Sequence, residues 1–260
     1  MMDDTEKNRI WQKITEYAEA SASELSELRR DFHRHPEPGW MEFRTSGRIA
    51  DLLHLYGCDE VLTDQQVCKA EARMGVPEGG GMTGVIGMLH CGKGPTVALR
   101  FDIDALPVRE CEELDHFPAQ EGFRSEHAGY MHACGHDGHI TVGLGTAKLL
   151  CQMREQLHGT VKFIFQPAEE GVRGARAIVE NGHLEDVDFL LAAHMYGGSE
   201  QHPCGICITA GHGLATTKLD VDFHGKASHA AAAPEQGNNA LLAAATAVLN
   251  LQAIPRHGKA

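Results

Sequence analysis

Three short segments carry side chains of the types that bind divalent metals. Residues 131–139 read MHACGHDGH, 163–171 read FIFQPAEEG and 187–197 read VDFLLAAHMYG. Together they supply Cys134, His136, the pair Glu169 and Glu170, and His194. A thiolate, imidazoles and a carboxylate are the donors that a borderline-soft divalent ion takes. A spare carboxylate beside them is what hydrolysis needs as a base.

Each piece has a plainer reading when taken alone. Cys134 in a lone C-x-H suits a small buried hydrophobe, although an extended backbone would put Cys134 and His136 on one side. Adjacent glutamates suit the solvated start of a helix, where the dipole favours them. Behind a buried strand, one could instead bind metal while the other takes a proton, and spacing does not say which. His194 is a core histidine or a ligand. Asp102 and Asp104, flanking Ile103, are ligands, partners of ligands or turn formers. Asp137 is placed to accept from a ligand imidazole. His139 is expected to cap or pack at the start of the next helix. His229, in GKASHA, reads on its own as a surface-loop histidine.

The elements that must position these residues follow from periodicity and breakers. Residues 5–32 and 42–56 have helical spacing, the second ending at Gly57. Residues 82–90 and 95–101 read as a hairpin or adjacent strands. From there strands alternate with helices: PTVALRF, helix 137–153, TVKFIFQP, helix 174–181, VDFLLAAHM. This alternation predicts an α/β fold with a mostly parallel sheet. TVKFIF and VDFLLAA are apolar almost throughout, as in strands buried on both faces. In such sheets the carboxyl ends of the strands hold the site, and DID, CGH, AEE and AAH all fall there. After residue 214, ATTKLDVDFHGKA alternates like an antiparallel strand with one wet face, and ALLAAATAVLNLQAI reads as a helix. Two elements cannot close a core, so the sequence is expected to continue past Ala260.

Composition sets the outer limits. A net charge of −13 argues against nucleic-acid binding. The charged N-terminus lacks the apolar stretch of a signal peptide, which predicts a cytoplasmic protein. Its eight cysteines are then reduced rather than paired as a framework. Cys204 and Cys207 form a C-x-x-C without a second pair, a weak motif.

DFHRHPEPGWMEF, RFDIDALP, MHACGHDGH, FQPAEEGVRGARAIVENG, AAH and GKASHAAAAPEQGNNAL together resemble the two-metal peptidase and amidohydrolase family, in its hippurate hydrolase and aminoacylase branch. The resemblance covers nearly the whole chain. It implies a three-layer αβα zinc-peptidase-like catalytic domain over 1–214, lacking its C-terminal portion. Residues 215–260 would begin an inserted α+β, ferredoxin-like lid or dimerisation domain. It implies two divalent ions, zinc or manganese, held by Cys134, His136, Glu170 and His194, with Glu169 as general base and acid. A further ligand histidine is expected from the family's C-terminal region, absent here. Asp102–Ile103–Asp104 stands where other branches carry H-x-D, so Cys134 is expected to compensate. His229 matches a lid histidine that stabilises the oxyanion and, in a dimer, reaches the partner's site. Asn239 matches a substrate-binding residue. The implied reaction is hydrolysis of the amide bond of an N-acyl amino acid, such as hippurate or an indole-acetyl conjugate. The implied assembly is a homodimer or a hetero-oligomer with a homologous B subunit. The alternative is an inactive metal-binding fragment or pairing subunit.

Overall fold

The computed structural model describes residues 3–113, 115–195, 205–206 and 219–254. Cys204, Cys207 and residues 215–218 lie outside them. The chain forms two compact units, Met1–Cys207 and Ile208–Ala260.

In the first unit the helices are α1 (Asp4–Arg34), α2 (Phe43–Tyr56), the short α3 (Phe117–Gln120), α4 (His136–Gln152) and α5 (Ala175–Val179). The strands are β1 (Glu60–Thr63), β2 (Val85–His90), β3 (Thr96–Asp102), β4 (Thr160–Gln166) and β5 (Phe189–Ala192). α1 begins where the Asp3 side chain accepts the Glu6 amide at 2.7 Å, and it carries His33 and Arg34 in its last turn. Both features complement the helix dipole. α2 ends at Gly57, whose φ of 91° is left-handed and costs little without a side chain.

The sheet order is β1-β2-β4-β3-β5. β4 is parallel to β3, and β3 to β5, while β1–β2 and β2–β4 are antiparallel. The sheet is therefore mixed rather than mostly parallel. β2 and β3 are not neighbours, because α4 returns the chain so that β4 lies between them. The link from β2 to β3 crosses the start of β4 instead. Cys91 N donates to Gly159 O at 2.8 Å and Thr160 N to Pro95 O at 3.0 Å. A Cβ on Gly94 would meet Gly159 N at 2.6 Å, so only glycine permits this crossing.

Alternation along the strands builds two apolar layers. Phe163 and Phe165 join Phe32, Ile49, Leu53, Ile140 and Leu144 on the face covered by α1, α2 and α4. Ile164 and Ile86 point the other way, onto Trp40, Ala168 and Ile178. Helices thus flank the sheet in an α/β, three-layer arrangement. Close approach of α4 depends on glycine on two sides. A Cβ on Gly143 would lie 2.7 Å from Phe101, and one on Gly145 would lie 3.1 Å from Leu25 of α1. β5 departs from the expected double burial. As the edge strand it leaves Phe189, Leu190 and Leu191 at 61%, 52% and 60% exposure.

In the second unit, residues 219–225 form no strand, and only Lys226 bridges to Asn238. Helix α6 (Ala240–Leu251) is capped by Asn239, whose Oδ1 accepts the Leu242 amide at 3.1 Å. No helix among the described residues is long and apolar enough to cross a membrane.

A buried ion network ties α1 to the start of α4. His33 Nδ1 lies 2.9 Å from Asp137 Oδ2, and Nε2 lies 2.9 Å from Glu110 Oε1. Burial alone would lower the His33 pKa, but the two carboxylates outweigh it and raise it. Burial would raise Glu110, yet its bonds to His33, His116 and the Ser125 amide hold it low. The His33 contribution is full below its unfolded pKa near ~6.5 and is lost as pH rises through the higher folded value. The Glu110 contribution is full above ~4.3 and is lost as pH falls through the lower folded value. We expect His33→Asn to destabilise by about 3 kcal/mol between those limits, with a smaller deficit at higher pH. Thermal melts across pH check this; a pH-independent deficit contradicts it.

Candidate metal centre

β3, β4 and β5 run parallel, so their carboxyl ends share one edge of the sheet. The first of them leads through Asp102 and the core residue Ile103 to Asp104, which is 1% exposed. The Asp104 carboxylate accepts the Glu169 amide on Oδ1 and the Glu170 amide on Oδ2, each at 3.0 Å. The preceding amide, Ala168 N, donates to Glu42 Oε1 at 2.7 Å. Three consecutive amides therefore end on two buried carboxyl groups. Ala168 has φ 47°, an uncommon conformation for a residue with a Cβ. Gly174 closes the loop by donating to Ala168 O at 2.8 Å, and a Cβ there would sit 1.7 Å from Pro167 O. Glu42 also accepts from the Thr83 hydroxyl at 2.7 Å, and burial, with the Asp104 charge, pushes its pKa up to about 8.

His136 opens α4 and is fully buried. Its Nδ1 donates to the Asp104 backbone carbonyl at 2.7 Å. A carbonyl only accepts, so Nδ1 carries a proton and Nε2 is the nitrogen left to ligate; burial would lower the His136 pKa, but the Asp104, Asp102 and Glu169 carboxylates outweigh it and raise it. That Nε2 is buried without a hydrogen-bond partner, as is Glu170 Oε1, 3.9 Å away. Glu169 Oε2 lies 3.9 Å from the same nitrogen. His194 repeats the logic: Nδ1 lies 2.6 Å from the Met195 carbonyl, and Nε2 faces Cys134 Sγ at 3.5 Å. Orienting an imidazole through its other nitrogen is a common arrangement for a metal ligand.

Cys134 and His136 are not in extended backbone. Gly135, at φ 83°, turns the chain between them into α4. The ligand atoms of Cys134, His136 and Glu170 still lie within 4.8 Å of one another. A second group under the same limit is Asp102, His136, His139 and His194. His139 pairs Nδ1 closely with Asp102 Oδ1 and accepts the Met195 amide on Nε2 at 2.6 Å. It therefore ties the aspartate to the segment beyond β5 and does more than cap α4. Its position three residues after His136 on one helix face was the available signal. Glu42 left no such signal. Asp137 turns to His33 and Arg29, with Arg29 Nε at 3.1 Å from Oδ2. It is not among the hydrogen-bond partners of His136. His229 and Asn239 belong to the second unit, where His229 Nδ1 accepts the Ala232 amide at 3.0 Å.

The electrostatics call for a cation. Burial, followed by the Glu170 and Glu169 carboxylates, pushes the Cys134 thiol up to about 11. Glu169 is raised by burial and then by Asp102. Burial would raise Asp102, but the His139 bond, His136 and Arg100 hold it low. An imidazole whose Nε2 has no hydrogen-bond partner, a second whose Nε2 meets only a thiol, an unpartnered carboxylate oxygen and a thiol amid carboxylates fit a divalent ion such as zinc.

Comparison with known proteins agrees. The sequence profile of peptidase family M20/M25/M40 matches residues 98–258. The A subunit of the p-aminobenzoyl-glutamate hydrolase of Escherichia coli K12 is 42% identical, covering 95% of this chain and 62% of that protein. The indole-3-acetyl-aspartic acid hydrolase of Enterobacter agglomerans is 43% identical over 94% of this chain and 61% of its own. A dinuclear metal binding peptidase of the M20 family from Bacillus subtilis superposes with a TM-score of 0.56. It is 40% identical, covering 68% of this chain and 43% of that one. The chain thus spans about three fifths of the length of the curated relatives it matches.

A thiol must lose its proton to ligate. Zinc titration by calorimetry, in buffers of differing ionisation enthalpy, should show close to one proton released at neutral pH. Cys134→Ser should abolish that release and weaken binding about 10-fold or more. Unchanged proton release in the variant contradicts a thiolate ligand.

Proposed function

The chain belongs to peptidase family M20/M25/M40, and from that membership we propose that the whole protein is a metal-dependent amidohydrolase. It cleaves the amide bond of p-aminobenzoyl-glutamate or a similar N-acyl amino acid. The observation that carries the reading is the buried, unpartnered Nε2 of His136 facing both glutamates at 3.9 Å. Cys134, His136, Glu170 and His194 would hold two divalent ions, zinc or manganese. When bound, the ions supply Lewis acidity that polarises the amide carbonyl and makes water acidic near neutral pH.

The chain's own residues then handle the proton. Glu169 takes it from the attacking water on a carboxylate oxygen and delivers it to the departing amine. Its raised pKa suits the first step, because a carboxylate that binds a proton more tightly is the stronger base. His139 holds Asp102, and Asp104 holds the backbone of both glutamates, so the proton carrier stays in register with the ligands. His229 as oxyanion stabiliser and Asn239 as substrate ligand rest on the family resemblance.

The indole-acetyl-aspartate reading stays beside the first, because the two named relatives are equally similar to this chain. One of those relatives bears the name of an A subunit, which supports assembly with a further subunit; a homodimer, or homology of that B subunit, rests on the family resemblance.

In the full-length protein, Glu169→Gln should lower kcat by about 1,000-fold while leaving metal content unchanged. Elemental analysis and hydrolysis of p-aminobenzoyl-glutamate and indole-3-acetyl-aspartate, run side by side, test this. Near wild-type turnover, or loss of metal with the activity, would falsify the role of Glu169. Failure to cleave either amide would remove the substrate reading.

A further inference from the structure

Away from the metal centre, two thiols lie against each other on different elements. Cys58 follows the turn that ends α2, and Cys151 lies in the last turn of α4. Their Sγ atoms are 3.9 Å apart, and both residues are partly exposed. The segments that carry them are already clamped together. Arg154, just beyond α4, donates to the Gly57 carbonyl at 2.9 Å and meets Asp59 Oδ1 at 3.1 Å and Oδ2 at 3.2 Å. This guanidinium fork spans the same gap as the sulfur pair, so the backbones are held near each other in the reduced protein. A disulfide needs the sulfurs about 2.05 Å apart.

We propose that Cys58 and Cys151 are a reversible thiol–disulfide site, oxidised by low-molecular-weight disulfides of the glutathione type. Of the two, the Cys151 sulfur is held toward the thiolate by its contact with the Cys58 sulfur and by the Arg154 charge, while the same contact and burial push the Cys58 thiol up. The Cys151 thiolate attacks one sulfur of the small disulfide and expels the other as a thiolate. This leaves a mixed disulfide on Cys151. Cys58 then gives up its proton, and its sulfur attacks Cys151 Sγ and expels the second small thiolate. The protein loses two protons and two electrons, and the small disulfide becomes two thiols. The product staples the turn after α2 to the end of α4, closing a loop on the order of 100 residues. In a reducing compartment such a bond forms only when the thiol pool is oxidised, as in a redox-responsive site.

The test exposes full-length protein to graded ratios of reduced and oxidised glutathione. Intact mass, peptide mapping after alkylation and thermal melts are the readouts. Oxidation should remove two hydrogens, protect Cys58 and Cys151 from alkylation together, and link their peptides. It should raise Tm by about 5–15 °C, and dithiothreitol should reverse all of these changes. Cys58→Ser and Cys151→Ser should each block the change, while Cys91→Ser should not. Should a serine variant fail to fold, paired protection in the wild-type protein still decides. A stable glutathione adduct without linkage, a link through Cys91, or unprotected thiols at fully oxidising ratios each overturns the proposal.

Discussion

Asp104 makes the site one structure rather than three loops. Its carboxylate holds the amides of Glu169 and Glu170, and its carbonyl fixes the proton of His136. A single buried residue thus sets the height of the glutamate pair and the tautomer of the imidazole. A carboxyl group at 1% exposure is costly to bury unless its oxygens are satisfied. Here two amides satisfy it in the same stroke that positions the ligands. Removing that carboxylate would release both glutamates from the strand end.

The surrounding residues share this pattern of groups that serve by being buried. Glu42 holds the amide of Ala168 where the backbone has a positive φ. Such strain persists only where neighbours over-determine the conformation. Gly174 and Gly39 supply the room: a Cβ on Gly39 would come within 3.0 Å of the Ala168 Cβ. His139 spans Asp102 and the Met195 amide, so the end of β3 and the segment after β5 move together. Many negative groups converge with few cations beside them, and a divalent ion is the natural counter-charge.

Much of this is legible in the sequence where the signal is local. α1, α2, α4, β3 and β4 follow from periodicity, from Gly57 and from apolar runs. Cys134, His136 and Glu170 group together as their residue types suggest. What stays hidden depends on partners distant in the chain. β1, at four residues, is too short to show alternation. The place of β4 between β2 and β3 follows from the crossover through α4, which no dipeptide encodes. VDFLLAA has the composition of a buried strand, and among the described residues it occupies an edge of the sheet. Residues 219–225 alternate like a strand but lack a ladder partner among the described residues, and alternation alone makes no sheet. Glu42 is invisible for the opposite reason: a buried acid is rare enough that sequence reasoning places it outside.

The division of labour between Glu169 and Glu170 shows where geometry stops and chemistry takes over. Both amides end on the same carboxylate, and both side chains reach 3.9 Å from His136 Nε2. Distance therefore cannot say which is the ligand. Environment supports the proposed assignment. Glu170 keeps a buried oxygen without a partner, and a metal ion would relieve that unmet demand. Glu169 is more exposed, with a third of its side chain open against a quarter for Glu170, and its proton affinity is raised. A proton carrier must exchange with water and substrate, so openness and basicity belong on the same residue. A ligand gains from the reverse, a fixed and desolvated oxygen. On the proposed assignment, neighbours in sequence take opposite tasks, the less exposed Glu170 as ligand and the more exposed Glu169 as proton carrier.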